Sequence, residues 1–453
     1  MNLKKISLFL VANIIGLTLM AEGYQLNTQS ARQLGMGHIG TALKLGSESM
    51  LFNPAGLSFM NGNVDLSIGA TGIFSKVTYT SGTYTAQTDN PVGTPIFGYA
   101  GFKITDFLYA GISLTNPAGN SLVWPDNWNG SHLVQNISLK VFSAQSTISF
   151  KISEKLSIGA GLMVNFGEFE MNKGLLPVNG LNGYLASPVF PAPYKTIITN
   201  ATGLTPVSAN LQGKTDISYG YNVGILYSPS DRLSIGLSYR SKVMMSVNNG
   251  STTLSYATPE LKSLINTLSI APASTNPLYN PSIAAVKSLD GQNFDAQLPV
   301  PSNTNLGVAF KATDKLLLSA ELQYVGWKAY DTLTIKFLSI KSVSPKNFKN
   351  TMIYRIGGEY KAFDKLTARL GFVYDTTPVD LTQYGPESPG SNKISVTAGL
   401  TYQPFKAMAV DLGFQYNTGM KTTGLIVQNG VTTFGGDYKT LAILPSFGLR
   451  FNF

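Results

Sequence analysis

Two histidines, His38 and His132, are the only imidazoles in 453 residues, and cysteine is absent. A serine nucleophile needs a base beside it, and a transition-metal site needs several nitrogen, sulfur or carboxylate donors converging. His38 sits in a glycine-rich stretch and His132 in a predicted surface loop, neither with clustered carboxylates. A phospholipase built on strands would need His and Ser on neighbouring strands, and neither histidine falls on one. The chain is therefore read as a non-enzyme, with no catalytic residue, metal ligand or cofactor. Arg240 and Lys242 offer a different chemistry, as two cations on one face of a strand pattern. Such a pair can hold a carboxylate head group through charge-assisted hydrogen bonds. Their competing role is an internal ion-pair network with Glu321, Glu359, Asp375 or Asp411.

Gly35-Met36-Gly37-His38-Ile39-Gly40 spells GxGxxG. The dinucleotide reading requires a buried strand before it, a helix after it and an acid about twenty residues on. A polar stretch precedes these glycines, so they are read as points of close backbone approach. Residues 47–52 suit one helical turn. Asn53-Pro54-Ala55-Gly56 would end it, since Pro54 disfavours helical geometry at Asn53 and Gly56 permits positive φ.

The elements that position these residues are strands. Only 13% of the chain is charged, yet no apolar run after the N-terminus is long enough for a helical span. The net charge of +9 is scattered over turns and forms no arm or patch, which argues against nucleic acid. Residues 1–21 read as a signal peptide: a basic MNLKK, an apolar core, and cleavage after residue 21 or 23. Beyond them a motif recurs, as KITDFLYAGISL from Lys103, KISEKLSIGAGL from Lys151 and SPSDRLSIGLSY from Ser228. KATDKLLLSAEL from Lys311, KAFDKLTARLGF from Lys361 and a degraded copy from Gln403 complete the set. Each is a polar turn followed by apolar residues at every second position.

One face of these strands is apolar and often ends in Tyr; the other is rich in Gly, Ser and Asn. Alternation of this kind, with an aromatic girdle and a terminal Phe453, suits an outer-membrane barrel around a wet lumen. The six copies are then short periplasmic turns. With one strand before the first pair and one after the last, they give an all-β, fourteen-stranded antiparallel barrel over 63–453. Long extracellular loops are expected near 173–212 and 251–296. Segment 22–62 is too short for a domain and is expected to fold inside the lumen as a hatch, with Asn53, Pro54, Ala55 and Gly56 as its gate. Alternation places Met163, Met244, Leu317, Val325, Trp327 and Val373 on inward faces, as ligand lining or as packing against the plug.

The N-terminal pattern Gly23-Tyr-Gln-Leu-Asn27, Ser30-Ala-Arg32, Leu34-Gly-Met-Gly37 and Glu48 to Gly56 resembles the hatch of the FadL family of outer-membrane channels. The resemblance continues through Leu298-Pro-Val-Pro301, Ala320 to Trp327, Arg355 to Tyr360 and Arg369 to Val379, and so covers the mature chain. It implies uptake of long-chain fatty acids or other hydrocarbons, a plugged fourteen-stranded barrel, an internal apolar site and a kinked third strand that opens sideways. In this chain that strand is Leu108–Thr115, with Gly111, Asn116 and Pro117 as the expected opening and an external loop from Asn116 to Gln135. The expected setting is the bacterial outer membrane, spanned many times by a monomer. Its expected partners are hydrophobic small molecules, outer-membrane lipid and, through Phe453, the barrel-assembly machinery. The alternative is a structural, receptor or adhesin barrel that transports nothing.

Overall fold

The computed structural model describes residues 24–270, 276–338, 340–387, 389–428 and 431–453, and the signal peptide at 1–21 lies outside them. Fourteen strands form one closed antiparallel barrel. They are β1 (Val64–Thr71), β2 (Ile96–Lys103), β3 (Leu108–Val123), β4 (Asn136–Lys151), β5 (Leu156–Gly174), β6 (Ser218–Ser230) and β7 (Leu233–Arg240). The others are β8 (Asn303–Lys311), β9 (Leu316–Val325), β10 (Thr351–Phe363), β11 (Leu366–Asp375), β12 (Lys393–Phe405), β13 (Met408–Gly419) and β14 (Val431–Asn452). β14 closes on β1 from Asp65↔Asn452 to Thr71↔Ser446, which removes the free edges that lipid would not tolerate.

The six repeats are the tight turns joining β2 to β3, β4 to β5, β6 to β7, β8 to β9, β10 to β11 and β12 to β13. In four of them a Lys pairs with the acid three residues on, as Lys103 does with Asp106 at 2.6 Å. Leu162, Leu237, Leu318, Leu370 and Leu412 point outward and are exposed, while Ser149, Asn165, Ser238 and Gln323 point inward and are buried. No helix among the described residues is long and apolar enough to cross a membrane.

At the other end the strands run on past the barrel and build a cap. It includes the hairpin of Phe74–Ser81 and Tyr84–Gln87, the strands Val207–Lys214, Val243–Tyr256 and Asn293–Val300, and the helices Ala192–Asn200, Pro259–Ser269 and Pro281–Lys287. The segments expected as long loops, 173–212 and 251–296, fall almost wholly within the connections from β5 to β6 and from β7 to β8, and most of the cap's strands and helices are built from them. The cap has its own apolar core, with Trp124, Trp128, Leu264, Ile265, Phe294 and Trp327 among its members.

Two changes of phase in the alternation bear on the site. β3 does not end at Thr115 but runs through Pro117 to Val123, with a register shift against β4 between Thr115 and Ala118. The loop expected from Asn116 thus begins eight residues later, as a bulge absorbs the proline. The second break lies at Ser241-Lys242, between β7 and the strand Val243–Tyr256, where Ser241 N–H donates to Tyr221 O at 2.9 Å. Below it the inward residues are Ser238 and Arg240; above it they are Val243, Met245 and Val247. Lys242 and Met244, expected to face the lumen, are exposed on the outer face. A one-residue slip moves every later side chain to the other face.

Candidate functional site

Residues 24–62 lie inside the barrel and are almost wholly buried. The expected helical turn is present as Gly46–Glu48 and Ser49–Phe52, followed by a tight helix at Pro54–Phe59. Gly37, Gly46 and Gly62 take positive φ in this segment; Gly56, for which it was expected, does not. Gly56 is needed for closeness instead, since a methyl there would stand 2.7 Å from Ser49 Oγ. Asn53 caps the Pro54–Phe59 helix through Ala55 N–H (3.2 Å), and its Nδ2 donates to Thr41 O (2.8 Å) and to Ile225 O of the wall (2.9 Å). Ala55 O accepts from Ser149 Oγ (3.1 Å) and Ser157 Oγ (2.8 Å). Pro54 and Ala55 also press on Gly159 and Gly224.

These glycines belong to a belt. Glycines face each other across neighbouring strands at Gly69↔Gly448, Gly101↔Gly111, Gly159↔Gly224, Gly236↔Gly307, Gly357↔Gly371 and Gly399↔Gly413. The N-terminal segment runs over most of this belt, from Ala31 at Gly413 through Gly35 at Gly399 and Thr41 at Gly236 to Pro54 at Gly159. A methyl on Gly159 would stand 2.6 Å from Ala55 N, and one on Gly236 would overlap the Thr41 carbonyl. The belt lets main chain lie directly on the wall. Its sequence signal is glycine at the ninth or eleventh position of five repeats (Gly111, Gly159, Gly236, Gly371, Gly413).

Charges inside the barrel tie the segment down. Arg355 pairs with Glu321 at 3.2 Å, and that carboxylate accepts from Gly40 N–H (3.0 Å) and Thr41 N–H (2.8 Å). Glu359 lies between Arg369 (2.7 Å) and Arg32 (3.6 Å), and Arg450 pairs with Asp411 at 2.5 Å. Arg240 is outside this network. Its guanidinium reaches Leu51 O (3.1 Å), Gln145 Oε1 (3.4 Å) and Met163 Sδ (2.7 Å) beneath the segment, with no ion pair among the described residues. His38 is buried against Phe52, and its burial, with Arg355 nearby, holds its imidazole well below the usual range.

Above the segment lies a cavity of about 810 Å³, within the size range of small-molecule sites. Tyr24–Thr28, Leu122, Leu139, Trp327, Ile353 and Val373 line its inner part. Val92, Ile96, Lys140 and Phe142 line its other end and belong to the outer face. Between the two ends the wall is incomplete. β2 covers β3 only from Tyr109 to Thr115, and the next stretch of β3 is paired instead by the N-terminal segment. Leu26 N–H donates to Pro117 O (3.0 Å), Gly119 N–H donates to Tyr24 O (2.8 Å), and Gln25 bridges Ala118. Asn116 spans the corner, accepting from Ile96 N–H (2.9 Å) and donating to Val141 O (3.0 Å). Of the residues named as lining, Trp327 and Val373 reach this cavity. Met163 lies under Arg240, Leu317 packs on the N-terminal segment, and Val325 is in the cap core. Sequence reasoning missed Tyr24 to Thr28, whose role follows only from where the segment lies.

A family profile described as outer membrane protein transport protein (OMPP1/FadL/TodX) matches residues 12–453. Outer membrane protein P1 of Haemophilus influenzae is 22% identical over 70% of this chain, and the match spans 64% of that protein's length. The long-chain fatty acid transport protein of Salmonella typhi is 24% identical over 99% of this chain and 98% of its own. Among solved structures, a FadL homologue from Pseudomonas aeruginosa superposes with a TM-score of 0.76 at 20% identity, covering 95% of this chain and 100% of the other. The toluene transporter TodX of P. putida gives 0.69 at 16% identity, covering 94% and 99%. A closed fourteen-stranded barrel, a family profile over nearly the whole chain and full-length relatives agree: this chain belongs to the OMPP1/FadL/TodX family of outer-membrane transport proteins.

Proposed function

We propose that the protein takes up hydrophobic molecules, long-chain fatty acids or related hydrocarbons, passively across the outer membrane. The ligand enters the cavity from the long-loop side and leaves sideways at Asn116-Pro117 when the N-terminal hatch rearranges. The observation that carries this reading is the use of Tyr24 to Leu26 as a substitute wall strand beside Pro117 and Ala118. Proline gives no ladder donor, so the wall is weakest at that point. Plug and wall are then one element, and a shift of Tyr24 to Leu26 opens the cavity toward lipid. Relatives named for long-chain fatty acid transport and for toluene transport fit this class of cargo.

The chain has no cysteine, so a pair introduced at Gln25 and Ala118 can form only the intended disulfide. Uptake of a radiolabelled long-chain fatty acid is measured in cells lacking their own transporter. The oxidised Gln25→Cys/Ala118→Cys protein is expected to reach the membrane and lose uptake, and to regain it on reduction. Undiminished uptake by the oxidised form would overturn the lateral exit.

A further inference from the structure

The cavity has two unlike walls. Tyr24, Leu26, Leu122, Leu139 and Trp327 make one side apolar. The other is a contiguous inward patch across the upper ends of β11, β12 and β13. There Val373 stands opposite Ser395, Asp375 opposite Lys393, Ser395 opposite Asn417, and Gln415 donates to Asn417 Oδ1 at 2.6 Å. Ser391 tops the patch, and all of these residues line the cavity. The patch has one acid and one base in register, so it carries no net charge. Ser391 is 3% exposed and its Oγ has no hydrogen-bond partner among the described residues. Thr28, on the segment below, is 2% exposed and its Oγ1 is likewise unpartnered. Buried hydroxyls left without partners are costly, and a ligand that satisfies them is favoured for that reason. The two other lysines of the lining, Lys76 and Lys140, are exposed on the outer face, away from this patch.

Building on the transport reading above, we infer that the cavity is built for an amphiphile whose polar part is uncharged and bears hydroxyl or amide groups. The tail lies along Leu122, Leu139 and Trp327, and the head meets Ser391, Ser395 and Asn417. A bare carboxylate gains less here, because Lys393 already stands across from Asp375. A pure hydrocarbon leaves Ser391 unsatisfied.

The test is equilibrium binding to protein in lipid nanodiscs, corrected with empty discs. Three radiolabelled ligands share one long saturated chain and end in a hydroxyl, a carboxylate or a methyl, at about pH 9, where the acid is ionised. The alcohol is expected to bind about tenfold tighter than either other ligand, the scale of one net hydrogen bond. Ser391→Ala/Ser395→Ala should abolish that margin, by weakening alcohol binding and not alkane binding. Asp375→Asn, which removes the carboxylate opposite Lys393, should raise carboxylate affinity several-fold. Folding of each variant is checked by its heat-modifiable gel shift. Tighter wild-type binding of the carboxylate, or equal binding of all three, overturns the head-group inference and leaves hydrophobe transport standing. Binding of none overturns both.

Discussion

At the scale of single residues, the site depends as much on side chains that are missing as on those present. Gly236 lets the Thr41 carbonyl touch the wall, and a side chain there meets main chain, which no rotamer change can relieve. Overpacking of this kind costs about 1–3 kcal/mol in a well-packed interior. Gly236→Val is expected to leave the barrel folded and loosen residues 24–62, read as faster amide exchange or proteolysis in that segment. Gly98 is the control, since a methyl added there meets nothing within 4 Å, and Gly98→Ala should change neither rate. His132 gives a prediction of a different kind. Burial, then the Lys173 charge, pushes its imidazole down to about 4, below the usual value of about 6.5. A loosened loop therefore binds a proton that the packed loop refuses, and packing weakens as pH falls from about 6.5 toward 4. Trp124 and Trp128 stack at 4.3 Å in the same loop region and report it. Their fluorescence should shift across that window in the native protein and stay flat in His132→Phe, whose ring keeps the contact with Phe434.

The strands show how far pattern reading reaches. Their number, the six tight turns and the outward Leu series were legible because period-two alternation and the turn repeat report the same geometry independently. The two phase changes were not. A bulge adds a residue without altering the kinds of residue that follow it, so alternation continued through Ser241-Lys242 puts Met244 and Lys242 on the wrong face. At Asn116-Pro117 the proline did mark an irregularity. However, sequence could not distinguish a strand that ends from one that bulges and continues. The difference lies in the partners: Asn116 bonds to Ile96 and Val141, and the main chain of Tyr24 to Leu26 supplies the ladder that β2 does not reach. The main-chain contacts of Tyr24 to Leu26 span more than ninety residues of chain, and no local signal announces them. The glycine belt is an intermediate case. Its period was written in the repeats, but its meaning required the N-terminal segment to be lying on it.

For the whole molecule, asymmetry between the two ends gives a prediction of how the barrel sits. One end has tight turns with short Lys-to-acid pairs and the join of β14 to the start of β1, where Phe453 O accepts from Asn63 N–H and Val64 N–H. The other has a cap of strands and helices with its own core, and Trp124, Trp327 and Phe294 inside it. Barrels of this kind place short turns in the periplasm and long loops outside. The cavity lies beneath the cap, so under the transport proposal a cargo arriving from outside would meet the cap first and the N-terminal segment last. Reversed insertion would put the cap in the periplasm and leave the cargo to enter past a sealed belt. A cysteine at Val189, 74% exposed in the cap, should react with an impermeant maleimide in intact cells. A cysteine at Lys315, in the turn between β8 and β9, should react only after the outer membrane is permeabilised. Labelling of Lys315→Cys in intact cells, with Val189→Cys silent, would invert the barrel and with it the direction of uptake.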